Sequence, residues 1–336
     1  MRDVKTVTIQ DVAREAGVSI ATVSRVLSGK GPVSQGKRQL VIHAVEKLDY
    51  NIPQGSRGER KAGTSILLMI VPRISNPFYS EILHGFQNNA YKNGYEVLLC
   101  QSMANPRRTE EYIRLLKNRV VDGAVILDPL TNPEFFNTIG RDYPIVQCCE
   151  YHEDLDYSYV GIDNVQAART AVQFLYSLGL RKIALLNSGL HFKYARDRQK
   201  GYEAALTELG LPVNPAWIQH VADVNYALAL GAAENLLRLP EIPEAIFAVS
   251  DVLAAGVIKA AKKMGLRVPQ DVAVIGFDNT EISLMCDPSI TTINQPRYEI
   301  GAYACDLLLE QIRNPGAPAR HLLLNTELIA RESTLR

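Results

Sequence analysis

The decapeptide VSIATVSRVL, Val18 to Leu27, sets Ser19, Thr22, Ser24 and Arg25 among apolar residues. On a helix that starts just after Ser19, Val23, Val26 and Leu27 share one face, while Ile20, Ala21, Ser24 and Arg25 fall on the others. A buried face accounts for the apolar set, and the polar set needs a different reason. Short side chains at a helix start let its N-terminus approach another surface closely. Hydroxyls and first-turn N–H groups there hold phosphate oxygens, and Arg25 is long enough for a bidentate contact with guanine. The spacing therefore points to major-groove recognition. The plainer reading of the same residues is a helical hairpin with Arg25 as a solvated surface charge.

Three short apolar sets at helical spacing position this face: Ile9, Val12, Ala13, Ala16; then Val23, Val26, Leu27; then Leu40, Val41, Ala44, Val45, Leu48. Thr8 stands three residues before Asp11, the spacing of a capping box, and Ser19 and Ser34 are expected to cap the second and third helices. Gly17 supplies the turn between the first two. The expectation is an all-α helix-turn-helix head over residues 1–50.

Charge follows the same division. The chain is neutral overall, but residues 1–61 carry 11 Lys and Arg against 6 Asp and Glu, which leaves 25 against 30 for the remainder. A basic head on an acidic body favours a polyanionic partner for the head alone. Between them, NIPQGSRGERKAGT (Asn51 to Thr64) has three glycines and three basic residues, so residues 51–63 read as a linker.

From Thr64 onward, apolar runs (SILLMIV, YEVLLC, GAVIL, PIVQCC, KIALLN, AIFAV, VAVIGF) alternate with amphipathic segments. That alternation predicts parallel sheets covered by helices on both faces, and its length suits two α/β lobes.

Several function classes lose ground. The chain has no GxGxxG after a strand, no GxxxxGK[ST], no GxSxG and no HExxH, and its six histidines are scattered, so neither an enzyme, a cofactor nor a metal is expected. Five cysteines without CxxC spacing predict no disulfide frame, and Cys148 and Cys149 read as buried strand thiols. No signal-peptide pattern and no bilayer-length apolar run are found, so the expected location is the cytoplasm, with no membrane partner.

VTIQDVAREAGVSIATVSRVLSGKGPVS resembles the N-terminus of the lactose-repressor (LacI/GalR) family of bacterial transcription regulators. IVPRISNPFYSEILHG, VDGAVIL, VGIDN, RDRQKGY, SDVLAAG, GLRVPQDVAVIGFDN, TTINQPRYEIG and LIARESTLR resemble the same family in the same order. IVPRISNPFYSEI and CDPSITTINQPRYEIG look most like its cytidine-repressor branch. The resemblance implies a ligand-responsive repressor that binds a pseudo-palindromic operator in double-stranded DNA as a homodimer. Its effector unit would have the two-lobed fold of periplasmic sugar-binding proteins. Lobe one would take about 64–163 and 296–325, lobe two about 164–295 and 326–336. By position it puts Ile20, Ala21 and Arg25 at base-reading sites and Thr8, Ser19, Thr22 and Ser24 near phosphates. Ile20 and Ala21 offer only apolar contacts, for example to thymine methyls.

The linker departs from the family. GSRGERKAG stands where many members carry a hinge helix with a leucine wedge, and its glycines each disfavour helix by about 1 kcal/mol. Arg57, with Arg60 and Lys61, is expected to make only electrostatic contacts to DNA, giving steep salt dependence.

Family ligand positions fall on Phe78, Arg198 and Asp278, and the loop SGLHFKYARDRQ adds Phe192 and Tyr194 as a specificity wall. Asp278 suits two ligand hydroxyls, Arg198 a hydroxyl, carbonyl or carboxylate, and Phe78 a ring. Phe192 falls where the purine repressor uses an Arg, which weighs against a purine held that way. Each has a structural alternative: a helix cap for Asp278, helix-start packing for Phe78. Asp251 reads as an N-cap, Asp163 and Asn164 as cap or ligand group, Tyr226 as a further wall candidate and Trp217 as structural packing. The effector class is a nucleoside or a sugar. A solute-binding protein without a DNA role, and a regulator with a phosphorylated carrier protein as corepressor, are the competing readings.

Overall fold

The structure, a computed structural model, describes residues 8–28, 33–48, 63–127, 136, 139 and 143–335. The chain divides into two units, Met1–Ala62 and Gly63–Arg336. Arg57, Arg60 and Lys61 lie outside the described residues.

In the first unit, α1 (Ile9–Glu15), α2 (Ile20–Ser28) and α3 (Gln35–Lys47) enclose Val12, Ala13, Ala16, Val23, Val41 and Ala44. The Asp11 carboxylate reaches back to accept from the Thr8 N–H at 2.9 Å and the Thr8 hydroxyl at 2.6 Å. Ser19 Oγ accepts from Thr22 N–H at 3.2 Å, so α2 starts where its local capping chemistry puts it. Gly17 takes φ +64°, and the Val18 N–H closes back on the Ala13 carbonyl at 3.1 Å, which ends α1 in a Schellman turn. Leu40 departs from its expected core place and is 55 % exposed. Val41 and Ala44 already fill the inward stripe of α3, and a residue one step from Val41 is turned about 100° away from it.

The second unit holds two six-stranded sheets. Sheet one runs β11-β5-β4-β3-β1-β2, all parallel, from β1 (Ile66–Val71), β2 (Glu96–Gln101), β3 (Gly123–Ile126), β4 (Ile145–Cys148), β5 (Ser158–Ile162) and β11 (His321–Leu324). In β1, Leu67, Met69 and Val71 point to one helix layer while Leu68 and Ile70 join Ile113 and Leu116 on the other. This two-sided burial is why the run ILLMIV shows no polar alternation. The layers include α4 (Phe78–Lys92) and α5 (Pro106–Lys117).

Sheet two runs β12-β10-β9-β8-β6-β7, from β6 (Ile183–Asn187), β7 (Ile218–His220), β8 (Ala245–Ala248), β9 (Ala273–Asp278), β10 (Thr291–Asn294) and β12 (Glu327–Ile329). Its edge strand β12 pairs antiparallel with β10, a departure from the all-parallel expectation. The helices of this lobe are α6 (Asn164–Ser177), α7 (Lys193–Glu208), α8 (Tyr226–Leu237), α9 (Asp251–Lys263) and α10 (Glu281–Met285). The chain crosses between sheets after β5, after β10 and after β11. The second crossing leads into α11 (Arg297–Arg313), which returns to pack on α4. Trp217, 4 % exposed, donates from Nε1 to the Glu241 carbonyl at 3.2 Å and is structural packing. No described helix is long and apolar enough to cross a membrane.

The α4–α11 contact depends on glycine twice. A Cβ at Gly85 would run into the Tyr298 carbonyl, and one at Gly301 into the Ile82 carbonyl. Because backbone blocks both positions, Gly301→Ala should push the helices apart and cost about 1–3 kcal/mol. A urea midpoint by circular dichroism equal to that of the parent chain would contradict this.

Candidate functional site

Two places gather the residues singled out above, one in each unit. On the head, Ile20, Ala21 and Arg25 lie exposed on α2, while Thr22 and Ser24 are half-buried. Ser19 and Thr22 share a hydroxyl hydrogen bond of 2.9 Å, and Thr8 is engaged by Asp11. These hydroxyls therefore first fix the helix start. Lys47 reaches Glu15 at 2.6 Å and ties α3 to α1. The exposed edge of α2 is thus a capped helix face that carries one guanidinium.

In the second unit, the C-terminal ends of strands from both sheets converge on a cavity. Phe78, Phe192, Tyr194, Arg198 and Asp278 all line it. Phe78 opens α4, its N–H received by Asn76 Oδ1 at 3.1 Å. Phe192 and Tyr194 stand at the start of α7 with rings stacked 5.3 Å apart, and the Tyr194 hydroxyl meets Ser188 Oγ at 2.6 Å.

Arg198 is 4 % exposed. Its Nε donates to Asn164 Oδ1 at 2.9 Å and one terminal nitrogen donates to the Val249 carbonyl at 2.5 Å. That nitrogen also lies 3.8 Å from Asp278 Oδ1, and the guanidinium sits 3.5 Å over the Phe277 ring. Asp278 ends β9 at φ +103°, outside ordinary strand geometry, and accepts from Gln295 Nε2 at 2.7 Å. Burial pushes its carboxyl well above the usual carboxylate range, with the Arg198 charge pulling back. The pair leaves acceptor and donor edges towards the cavity, suited to a hydroxyl-bearing ligand.

Other candidates fall elsewhere. Asp251 is not an N-cap: Ser250 caps α9, accepting from Leu253 N–H at 3.1 Å. Asp251 is fully buried and accepts from Thr280 N–H at 2.6 Å, Thr280 Oγ1 at 3.0 Å and Thr292 Oγ1 at 2.6 Å, which braces the turn after Asp278. The N-cap position of the helix after that turn is Thr280, not Asp278, and the Thr280 side chain makes no capping hydrogen bond. Asp163 caps α6 by accepting from Gln166 N–H at 2.9 Å, and Asn164 is the Arg198 partner. Tyr226, 45 % exposed, does not line the cavity. Cys149 is not a strand residue: it leaves β4 at φ +65° and lines the cavity, 3.8 Å in sulfur separation from Cys148.

Three further charged residues, Glu150, Arg73 and Asp223, line the cavity outside the sequence expectations. Glu150 follows the apolar run PIVQCC, and an acid just past a buried strand was the signal available. Arg73 and Asp223 pair at 2.5 Å across the two lobes, and nothing local in their segments marks them.

Burial pushes Glu150 up to about 7 and Asp251 up to about 6, in the same direction as Asp278. A raised carboxyl contributes stability that is complete below the unfolded value near pH 4 and is lost as pH rises through the folded value. Asp271, held at about 2 by Arg267, is already ionised throughout that window and adds no slope. His220, lowered by burial, works weakly against the trend. The second unit should therefore lose stability as pH rises from about 4 to about 7, and Asp278→Asn should flatten the loss. Urea titrations followed by Trp217 fluorescence check this; stability rising with pH would refute it.

A family model described as bacterial regulatory proteins, lacI family, matches residues 8–53, and one described as a periplasmic binding protein-like domain matches residues 172–334. The HTH-type transcriptional repressor CytR of Escherichia coli (strain K12) is 36 % identical over 97 % of this chain and 96 % of its own length. Catabolite control protein A of Priestia megaterium is also 36 % identical, over 98 % of this chain and 99 % of its own. The structure of a transcriptional regulator CelR–cellobiose complex superposes with a TM-score of 0.72 at 29 % identity, covering 97 % of this chain and 99 % of that one. The chain therefore belongs to the LacI family of bacterial DNA-binding transcription regulators.

Proposed function

We propose that this chain is a cytoplasmic repressor whose affinity for a pseudo-palindromic operator is set by a nucleoside or sugar held between its two lobes, and that it acts as a homodimer. The observation that carries the reading is the cavity: aromatic rings of Phe78, Phe192 and Tyr194 beside the Arg198 and Asp278 polar pair, at the meeting strand ends of two sheets. A ring with vicinal hydroxyls satisfies both surfaces, and Phe192 offers stacking but no charge to a base. The effector can shift operator affinity only by as much as it discriminates between lobe arrangements.

A thermal-shift screen of the whole chain against nucleosides, free sugars and sugar phosphates tests this. A ligand at a hundred times its Kd adds about 2.7 kcal/mol. Asp278→Ala should abolish the shift. A shift with none of these classes would overturn the small-effector reading and favour a phosphorylated carrier protein, to be sought by pull-down.

At the DNA end, Arg25→Ala should cost about 1–3 kcal/mol of operator affinity and relax preference at one base pair of each half-site. Arg57→Ala should weaken binding evenly across sequences and reduce the salt slope by about 1. Fluorescence anisotropy over a salt series separates the two. Unchanged discrimination in Arg25→Ala would remove that residue from base reading.

A further inference from the structure

Helix α7 carries the aromatic wall of the cavity, yet its N-cap position is Phe192, whose side chain makes no capping hydrogen bond. A helix start leaves its first N–H groups without intrahelical acceptors, and a buried start needs them met from elsewhere. They are met from the other lobe. Glu150 Oε2 accepts from Lys193 N–H at 2.8 Å and Glu150 Oε1 accepts from Tyr194 N–H at 2.9 Å. Glu150 comes from the end of β4 in sheet one, while α7 belongs to the lobe of sheet two, where the Tyr202 hydroxyl donates to the Ile183 carbonyl at 2.7 Å. The left-handed backbone at Cys149 turns the chain out of the strand and sends the carboxylate across the cleft. At 5 % exposure, Glu150 has exchanged water for these two donors.

We infer that Glu150 is a positioning residue that caps α7 in trans, so that the order of the cavity wall at Phe192 and Tyr194 depends on the lobes being closed. Separation of the lobes withdraws the cap from both N–H groups at once and loosens the stacked rings. Closure then builds the wall as well as narrowing the cleft. The Arg73–Asp223 pair, which also bridges the lobes, supports the same closure without touching α7's first turn. This inference gives a residue-level basis to the effector reading above, but its test needs no effector and can fail separately.

Hydrogen exchange of the full-length protein without added ligand reads the two amides directly. Glu150→Ala should speed exchange at Lys193 and Tyr194 by about tenfold or more, from the loss of both buried hydrogen bonds, while β9 exchanges as before. Arg73→Ala, with Glu150 intact, should speed the same two amides by loosening the lobes. Phe192→Ser added to Glu150→Ala should restore protection at Tyr194, because a hydroxyl then caps the helix locally. Equal acceleration at β9 and α7 in Glu150→Ala would mean a general loss of stability and overturn the inference. So would unchanged exchange at both amides, or an Arg73→Ala protein indistinguishable from the parent.

Discussion

The second unit is organised around a cation that cannot be discharged. A guanidinium stays protonated at any working pH, so burying Arg198 obliges the fold to surround it with acceptors and π faces. Those partners come from the start of α6, the end of β8 and the last residues of β9, and they meet the guanidinium that α7 carries. Four segments far apart in sequence must therefore end at one point, and the cavity is the space left where they meet. Removing one partner would leave the buried charge less compensated, which is costly.

A second polar layer holds that point in place. Asp251 receives three hydrogen bonds from Thr280 and Thr292, and Arg331 reaches Asn279 Oδ1 at 2.7 Å. Arg297, at the start of α11, donates to the Asn279 carbonyl at 2.8 Å. Asp278 and Asn279 both occupy left-handed backbone, a cost that persists only because the surrounding bonds over-determine it. Strain at the end of β9 and the bracing behind it are thus one arrangement. It aims the Asp278 carboxylate at the cavity rather than along the strand.

The head follows a different economy of structure. Its core is small, and its helix boundaries rest on local devices: the Asp11 carboxylate on Thr8, the Ser19 cap and the Gly17 turn. Such devices act within four residues, which is why the exposed edge of α2 is legible in the sequence. The same locality explains the error at Leu40, since a periodic apolar set overestimates the width of the stripe that a three-helix core can cover.

Local pattern thus determined the helix starts of the head and the seven apolar runs that became strands, while the family resemblance pointed to Phe78, Phe192, Tyr194, Arg198 and Asp278, which share one cavity. Side-chain periodicity and capping are encoded within a few residues, so one sequence suffices to read them. Only the tertiary structure decided that β12 runs antiparallel, that Asp251 braces a turn instead of capping a helix, that Cys149 leaves its strand, and that Glu150, Arg73 and Asp223 reach across the cleft. Each of these depends on which segments, tens to hundreds of residues apart, are brought within hydrogen-bond range. Hydrogen bonds of that span leave no period in the sequence, because the partner's position is set by the packing of whole sheets and helices between them.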